Sequence, residues 1–385
     1  MAFVSWSSLS LAEVVSNTHS TPALKVAPAS ASDRIDDLAN LFHGKYQFHG
    51  NIQVRRGGKT VYQGSRGFAN QAFQVPHQMN SRFMIASVSK QFTAAAVLKL
   101  VEMGQVDLDR TYGDYVPWAG GHPASEEAWG RITIRELLTH SSGAARDIRP
   151  TDTSSMSHYS PILSGIVMDQ TRAYNMFPID KDRREGRYSN FGYVLLANLV
   201  SEVSGQEFHQ FLKESFFLPL GMNSTGQFHR MFNIQFMADG YNYADTTGKL
   251  LKRCCFDATN FVGSHGLYSD TADLMTWLQD LSSGASKVLS QESIELLWTP
   301  AVKMYGTEDD FYGFGFHIAE WKGHKVIWHD GMEYGYLSFV LTIPDLDIQV
   351  VILTNRHDAE SVMFDTPYPE KMAWKVVEEL GVPVQ

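Results

Sequence analysis

Residues 83–90 read Phe83-Met84-Ile85-Ala86-Ser87-Val88-Ser89-Lys90, and the last four decide the fold. Ser87 and Lys90 stand three residues apart, directly before an apolar run. That run predicts a helix to about Met103, with Gly104 as its C-cap. Residues at i and i+3 share a helix face, so the Lys90 ammonium should hang one turn from the Ser87 hydroxyl. A serine is a poor nucleophile until a base takes its proton, and a lysine stripped of water can be that base. Alone, the pattern decides little. Ordinary residue frequencies give roughly one or two Ser-x-x-Lys matches by chance in a chain this long. The competing reading is a helix N-cap serine followed by a solvated lysine.

The rest of the chain narrows the choice. At 385 residues it can bury a large core and hold two packed subdomains. With 44% hydrophobic and 19% charged residues it reads as globular, not disordered. A formal net charge of -10 argues against nucleic acid as a partner. The two cysteines are adjacent, Cys254-Cys255, where bridge geometry would strain the intervening peptide. No Cys/His pattern has zinc spacing. No stretch approaches the ~18 apolar residues of a transmembrane helix. Met1 to Ala12 is mildly apolar but has no basic residue ahead of Lys25. Residues 1–32 therefore read as a flexible tail or the remnant of a secretory signal. A periplasmic or secreted location is the expectation, with the cytoplasm left open. Oligomeric state is left open too.

Periodicity sets the organisation. Ile35 to Phe42 reads as a short amphipathic helix, and Gly50 to Arg55 with Lys59 to Gly64 as a hairpin around Gly57-Gly58. From Asp107 to about Leu281 the pattern is helix and loop. It includes Ile134 to His140, Asn190 to Val203 closed by Gly205, Phe208 to Phe217 ended by Pro219, and Thr271 to Leu281 capped by Ser269 or Asp270. Strand character returns at Tyr312 to Ala319, Lys325 to Trp328, Tyr336 to Ile343 and Gln349 to Thr354, and Lys371 to Leu380 reads as a last helix. The fold class is α+β: an antiparallel sheet flanked by helices, with a mainly helical insertion. Residues 33–385 form one catalytic domain. Its sheet part is about 33–106 and 310–385, and its helical part about 107–309.

Three clusters line up along this frame. They are Ser87-Val88-Ser89-Lys90, Tyr188-Ser189-Asn190 on a loop entering a helix, and His329-Asp330-Gly331 at the end of a strand. Read singly, the second is turn chemistry with an asparagine cap, and His329 is a surface strand residue. The ordered set resembles the β-lactamase and penicillin-binding-protein-like serine hydrolases, in the branch with tyrosine in the second cluster. That branch holds class C β-lactamases, DD-carboxypeptidases, D-aminopeptidases and related esterases. The resemblance covers roughly Asp33 to Leu380. Leu137 to Gly143, Leu220-Gly221-Met222 and Gly263 to Ser269 look like further signatures of it.

The resemblance implies roles. Ser87 would form an acyl-enzyme, Lys90 would take or hold its proton, and Tyr188 would act as general base and proton shuttle. Asn190 would bond Lys90 or a substrate amide. The backbone N–H groups of Ser87 and Met332, the residue after Gly331, would make the oxyanion hole. His329 and Gly331 would face substrate. This machinery needs no metal and no cofactor. β-Lactamases of this kind usually carry Lys-Thr-Gly or a near variant at the third cluster, and the cation there helps bind a substrate carboxylate. Here His329 stands in place of the lysine, Asp330 replaces the hydroxyl residue and Glu333 follows. Class C enzymes also carry Asn and Arg shortly after the final strand; here Arg356 comes at once and no Arg follows to Met372. The expected substrate is therefore a small ester or a D-amino-acid peptide or amide. A β-lactamase and a non-catalytic sensor or binding module are the alternatives.

Overall fold

Alternating burial builds the sheet. The computed structural model describes residues 29–116, 131–144, 186–229, 231–243, 250–252, 261–357 and 368–382. Most of the N-terminal tail and Cys254-Cys255 lie outside the described residues. Strands β1 (Gly50–Arg56) and β2 (Lys59–Arg66) form the expected hairpin. Six more come from the C-terminal part: β3 (Val302–Lys303), β4 (Phe311–Tyr312), β5 (His317–Trp321), β6 (His324–Glu333), β7 (Tyr336–Ile343) and β8 (Ile348–Thr354). Their order across the sheet is β3-β4-β5-β6-β7-β8-β1-β2, every neighbouring pair antiparallel. Pairing of Ile52 with Ile352 and Val54 with Val350 joins the two ends of the chain.

Side chains alternate across a strand, so one sheet serves two cores. Phe339 and Leu341 of β7 pack with Ile35 and Phe42 of helix α1 (Ala31–Tyr46) and Met372 and Val376 of helix α5 (Tyr368–Glu379). Val340, between them, belongs to the core on the opposite face. That core gathers Phe92 of α2 (Ser89–Glu102), Leu196 of α3 (Asn190–Ser204) and Trp277 of α4 (Thr271–Ser282). Every residue of α2 from Ser89 to Leu98 is buried. A helix enclosed all round carries polar side chains at a cost unless they are bonded, so Lys90 in its first turn calls for partners.

The expected α+β architecture is the one observed, with differences at element ends. The strand expected over Tyr312 to Ala319 is two strands, because the Gly313 N–H bonds the Phe316 carbonyl at 2.9 Å and turns the chain. The short strand expected at Lys325 to Trp328 is instead the ten-residue β6, so His329-Asp330-Gly331 lies within a strand. The helix from Phe208 does not stop at Pro219. It passes through a wide turn at Lys213–Phe217 and ends at Leu220, where Gly221 is left-handed with φ 72°. Pro219 lies in the last turn, directly after the wide turn where the regular i→i−4 ladder is already broken. Among the described residues no helix is long and apolar enough to cross a membrane.

Candidate active site

The chain bends sharply just before Ser87. Ala86 takes a left-handed backbone with φ 46°, an uncommon state for a residue bearing a Cβ. Ala86–Val88 is a single 3-10 turn, and α2 begins at Ser89 rather than at Ser87. Ser87 is thereby the one partly exposed residue between Phe83 and Leu98. It stands at the N-terminal end of α2, where the helix dipole favours negative charge.

Lys90 is fully buried. Its Nζ donates to Ser87 Oγ at 3.2 Å, to Asn190 Oδ1 at 2.7 Å and to the Ser264 carbonyl at 2.8 Å. The i,i+3 expectation therefore holds geometrically. The Ser264 carbonyl was not foreseen, although the Gly263 to Ser269 stretch was singled out. That stretch is pinned along α2 by Thr93 Oγ1 donating to the Gly263 carbonyl at 2.6 Å and the Leu267 N–H donating to Ser89 Oγ at 3.3 Å. Gly263 admits no side chain: a Cβ there would come within 2.5 Å of the Tyr193 carbonyl and of Ala197 Cβ.

The second cluster meets the first. Ser189, not Asn190, caps α3, its Oγ accepting from the Gly192 N–H at 3.0 Å. That leaves the Asn190 amide for Lys90. The Tyr188 ring lies beside the ammonium, with its centroid 4.6 Å from Lys90 Nζ. Buried His140 grips this segment on both sides of Tyr188. Its carbonyl accepts from the Arg187 N–H at 3.0 Å and its Nδ1 from the Ser189 N–H at 3.0 Å. Its ring also packs on Tyr188 at 4.4 Å between centroids. His140 was missed as a site residue; its place inside the Leu137 to Gly143 signature was the available signal.

The third cluster divides. A Cβ on Gly331 would lie 2.4 Å from the Ile85 carbonyl and 2.2 Å from Ser338 Oγ. Ser338 Oγ itself donates to that Ile85 carbonyl at 2.8 Å. Glycine here lets β6 press against the turn that carries Ser87. Met332 follows, 39% exposed. Strand β5 pairs with β6 only as far as Trp328, opposite His317, so β6 runs past its neighbour from His329 onward.

His329, expected to face substrate, is enclosed by protein in the structure. It is fully buried. Its Nε2 bonds Tyr312 Oη at 3.0 Å and its Nδ1 the Asp330 carbonyl at 2.5 Å. It stands in the wall behind Tyr188, with ring centroids 6.2 Å apart. Burial pushes its pKa well below the usual histidine range, with the nearby charges of His317 and Lys90 adding to the effect. Among the described residues, no cation stands at this cluster in the lysine's place. Alternation puts Asp330 on the face of Trp328, away from Gly331. Glu333 shares the Gly331 face and lies 3.5 Å from His265 Nε2. Burial and the charge of Lys90 hold His265 well below its ordinary pKa. Arg356 bonds Gln47 Oε1 at 3.1 Å.

Comparison with known proteins decides the family. A family model described as beta-lactamase matches residues 35–369. The chain belongs to the beta-lactamase family. It is 30% identical over 357 residues to "Penicillin-binding protein 4*" of Bacillus subtilis (strain 168), covering 86% of this chain and 76% of that protein. It is 25% identical over 343 residues to "D-alanyl-D-alanine-carboxypeptidase/endopeptidase AmpH" of Escherichia coli (strain K12), covering 86% and 85%. The D-amino acid amidase of Ochrobactrum anthropi SV3, crystallised with L-phenylalanine amide, shares the fold at a TM-score of 0.77 and 20% identity. It covers 91% of this chain and 99% of that one. Membership in the beta-lactamase family gives the chain a serine-hydrolase character at the level of the family.

Proposed function

We propose that this protein hydrolyses small esters or D-amino-acid amides and peptides through an acyl-enzyme on Ser87. The observation that carries the reading is the placement of Lys90 Nζ 3.2 Å from Ser87 Oγ, with Asn190 Oδ1 and the Ser264 carbonyl as its other acceptors. Those two oxygens can only accept. A neutral Lys90 keeps both with its two N–H bonds, and its lone pair then faces Ser87. Ser87 Oγ attacks the substrate carbonyl carbon as its proton passes to Lys90. Tyr188, whose ring lies 4.6 Å from Lys90 Nζ, then carries the proton to the leaving group. The oxyanion is held by the backbone N–H groups of Ser87 and Met332, the residues that follow Ala86 and Gly331. Each such donor contributes ~3 kcal/mol to the transition state. Water then takes the place of the leaving group and frees Ser87.

The third cluster supports the ester and amide part of that class. A neutral, enclosed His329 offers no cation to a substrate carboxylate. Esters and amides without that carboxylate lose nothing by its absence.

Ser87→Ala tests the reading, with p-nitrophenyl butyrate, D-phenylalanine amide and nitrocefin as substrates. Ester or amide turnover should fall by on the order of 10⁴-fold or more. Mass spectrometry of the wild type should find the acyl group on Ser87. Full turnover by the folded variant overturns the mechanism. Nitrocefin turnover exceeding that of the esters points to a β-lactamase, and an inert, folded wild type to a binding module.

A further inference from the structure

Hydrolysis leaves a second set of groups at the third cluster unused. His317, at the start of β5, stacks on Trp328 with centroids 4.3 Å apart and meets the His329 ring edge-on at 5.1 Å. One donor atom each from His317, His329 and Asp330 lies within 4.8 Å of the others. Both imidazoles are buried, and Asp330 is half-buried. These groups come from neighbouring strands of one rigid sheet, so ordering them costs little further entropy.

A second feature aims the cluster at a cation. The Asp310 carboxylate lies 2.9 Å from His317 Nδ1. A carboxylate at one ring nitrogen keeps the proton there and leaves the other nitrogen's lone pair for a ligand. Metal-binding histidines are commonly held in this way. A further carboxyl stands nearby. Burial pushes Glu370 of α5 up to about 7, with the charges of Asp330 and Asp310 raising it and the Trp374 bond and the charge of His317 lowering it. An ion among these groups would offset the repulsion between the carboxylates.

We propose that His317, His329 and Asp330 bind a divalent transition ion, with Zn²⁺ the one best matched to two imidazoles and a carboxylate. A water completes the coordination. His329 offers Nδ1, the nitrogen 3.7 Å from Asp330 Oδ1, and gives up its bond to the Asp330 carbonyl to do so. Its proton moves to Nε2, which then donates to Tyr312 Oη, so no proton is lost. No step of the hydrolysis passes through the ion. Occupancy instead reaches the active site through His329, which stands behind Tyr188, and should lower kcat.

The test uses the full chain freed of metal by chelation. Calorimetry with Zn²⁺ should show one ion per chain, and Co²⁺ should give the visible absorption of a low-coordinate site. His317→Ala should weaken binding more than tenfold, and Asp310→Asn by about 10–100-fold, the usual cost of removing a ligand's carboxylate partner. Thermal unfolding of the metal-free variants verifies folding, and His317→Gln replaces His317→Ala if the latter is unstable. Equal Zn²⁺ affinity in wild type and the folded His317 variant overturns the proposal, as does absence of binding to the wild type. Both readouts are independent of turnover, so an inert hydrolase that binds Zn²⁺ through His317 sustains this site and loses only the catalytic reading.

Discussion

On one face of β6, Trp328 stacks on Phe339 with centroids 5.6 Å apart and joins the core beneath α1 and α5. On the other face, Gly331 leaves no room for one added carbon against Ile85 and Ser338. The same ten residues thus hold the sheet together by bulk and hold the Ser87 turn in place by its absence. Aromatic area buried on the first face contributes stability. Close backbone approach on the second fixes where the Ser87 turn and a strand edge meet. Changes to the two faces should therefore separate stability from catalysis.

After Ser87→Ala, Lys90→Met gives the largest expected effect. Turnover of p-nitrophenyl butyrate should fall by about 10²–10⁴-fold, the usual worth of a positioned base. Stability should fall by no more than about 1–3 kcal/mol, because an apolar side chain of similar length fills the space of the amine but leaves Asn190 Oδ1 and the Ser264 carbonyl without its N–H groups. Urea unfolding beside kcat measurements checks both halves. A large loss of stability with kcat retained would break the contrast at its strongest point.

Phe339→Ala is the mirror experiment. Phe339 is fully buried on the α1 and α5 side. Its truncation should cost about 3–5 kcal/mol in unfolding free energy. The folded fraction should keep its kcat. Gly331→Ala then tests the thin face. An added methyl must push β6 from the Ser87 turn or distort Ser338, at about 1–3 kcal/mol. It should also lower kcat well beyond that loss of fold, since a shift of ~1 Å at the reacting groups can cost ~10²-fold. A Gly331→Ala enzyme that is destabilised yet fully active would show that the close approach serves packing alone.

The contrast between the faces also explains what could be read in the chain beforehand. Ser87, Lys90 and Asn190 were legible because their chemistry lies in short-range spacing and residue type. The structure joins them through Lys90 Nζ. His140 and the Ser264 carbonyl were not, because each acts by a contact across the fold, from residues 49 and 174 positions away from their partners. A backbone carbonyl leaves no mark on residue type at all. The burial of His329 was not legible, because alternation along β6 gives its side, not what fills the space before it. Tyr312 fills it. The sheet was legible from alternation, while the break at Gly313 to Phe316 and the full reach of β6 depended on pairing with neighbours.

His77 supplies the smallest effect and extends the contrast to pH. Its Nε2 lies 3.0 Å from Asn355 Oδ1, while Asn355 Nδ2 donates to the carbonyls of Phe68 and Asp239. The asparagine oxygen therefore accepts, and His77 is protonated at Nε2. Nδ1 is buried and has no hydrogen-bond partner among the described residues. A proton placed there would be enclosed and unbonded. Burial accordingly lowers the His77 pKa to about 4, against the raising effect of the Asn355 bond. Between pH 4 and about 6.5 the unfolded chain binds a proton that the folded chain refuses. The stability linked to His77 is thus fully present above about pH 6.5 and is lost as pH falls toward 4. At pH 5 the loss from this one group is about 2 kcal/mol. His77→Gln should flatten that part of the pH dependence in urea unfolding while leaving kcat at pH 7 unchanged. If the variant follows the wild-type acid slope, the loss belongs to another group, of which His49, lowered to about 4 chiefly by burial, is the first to replace.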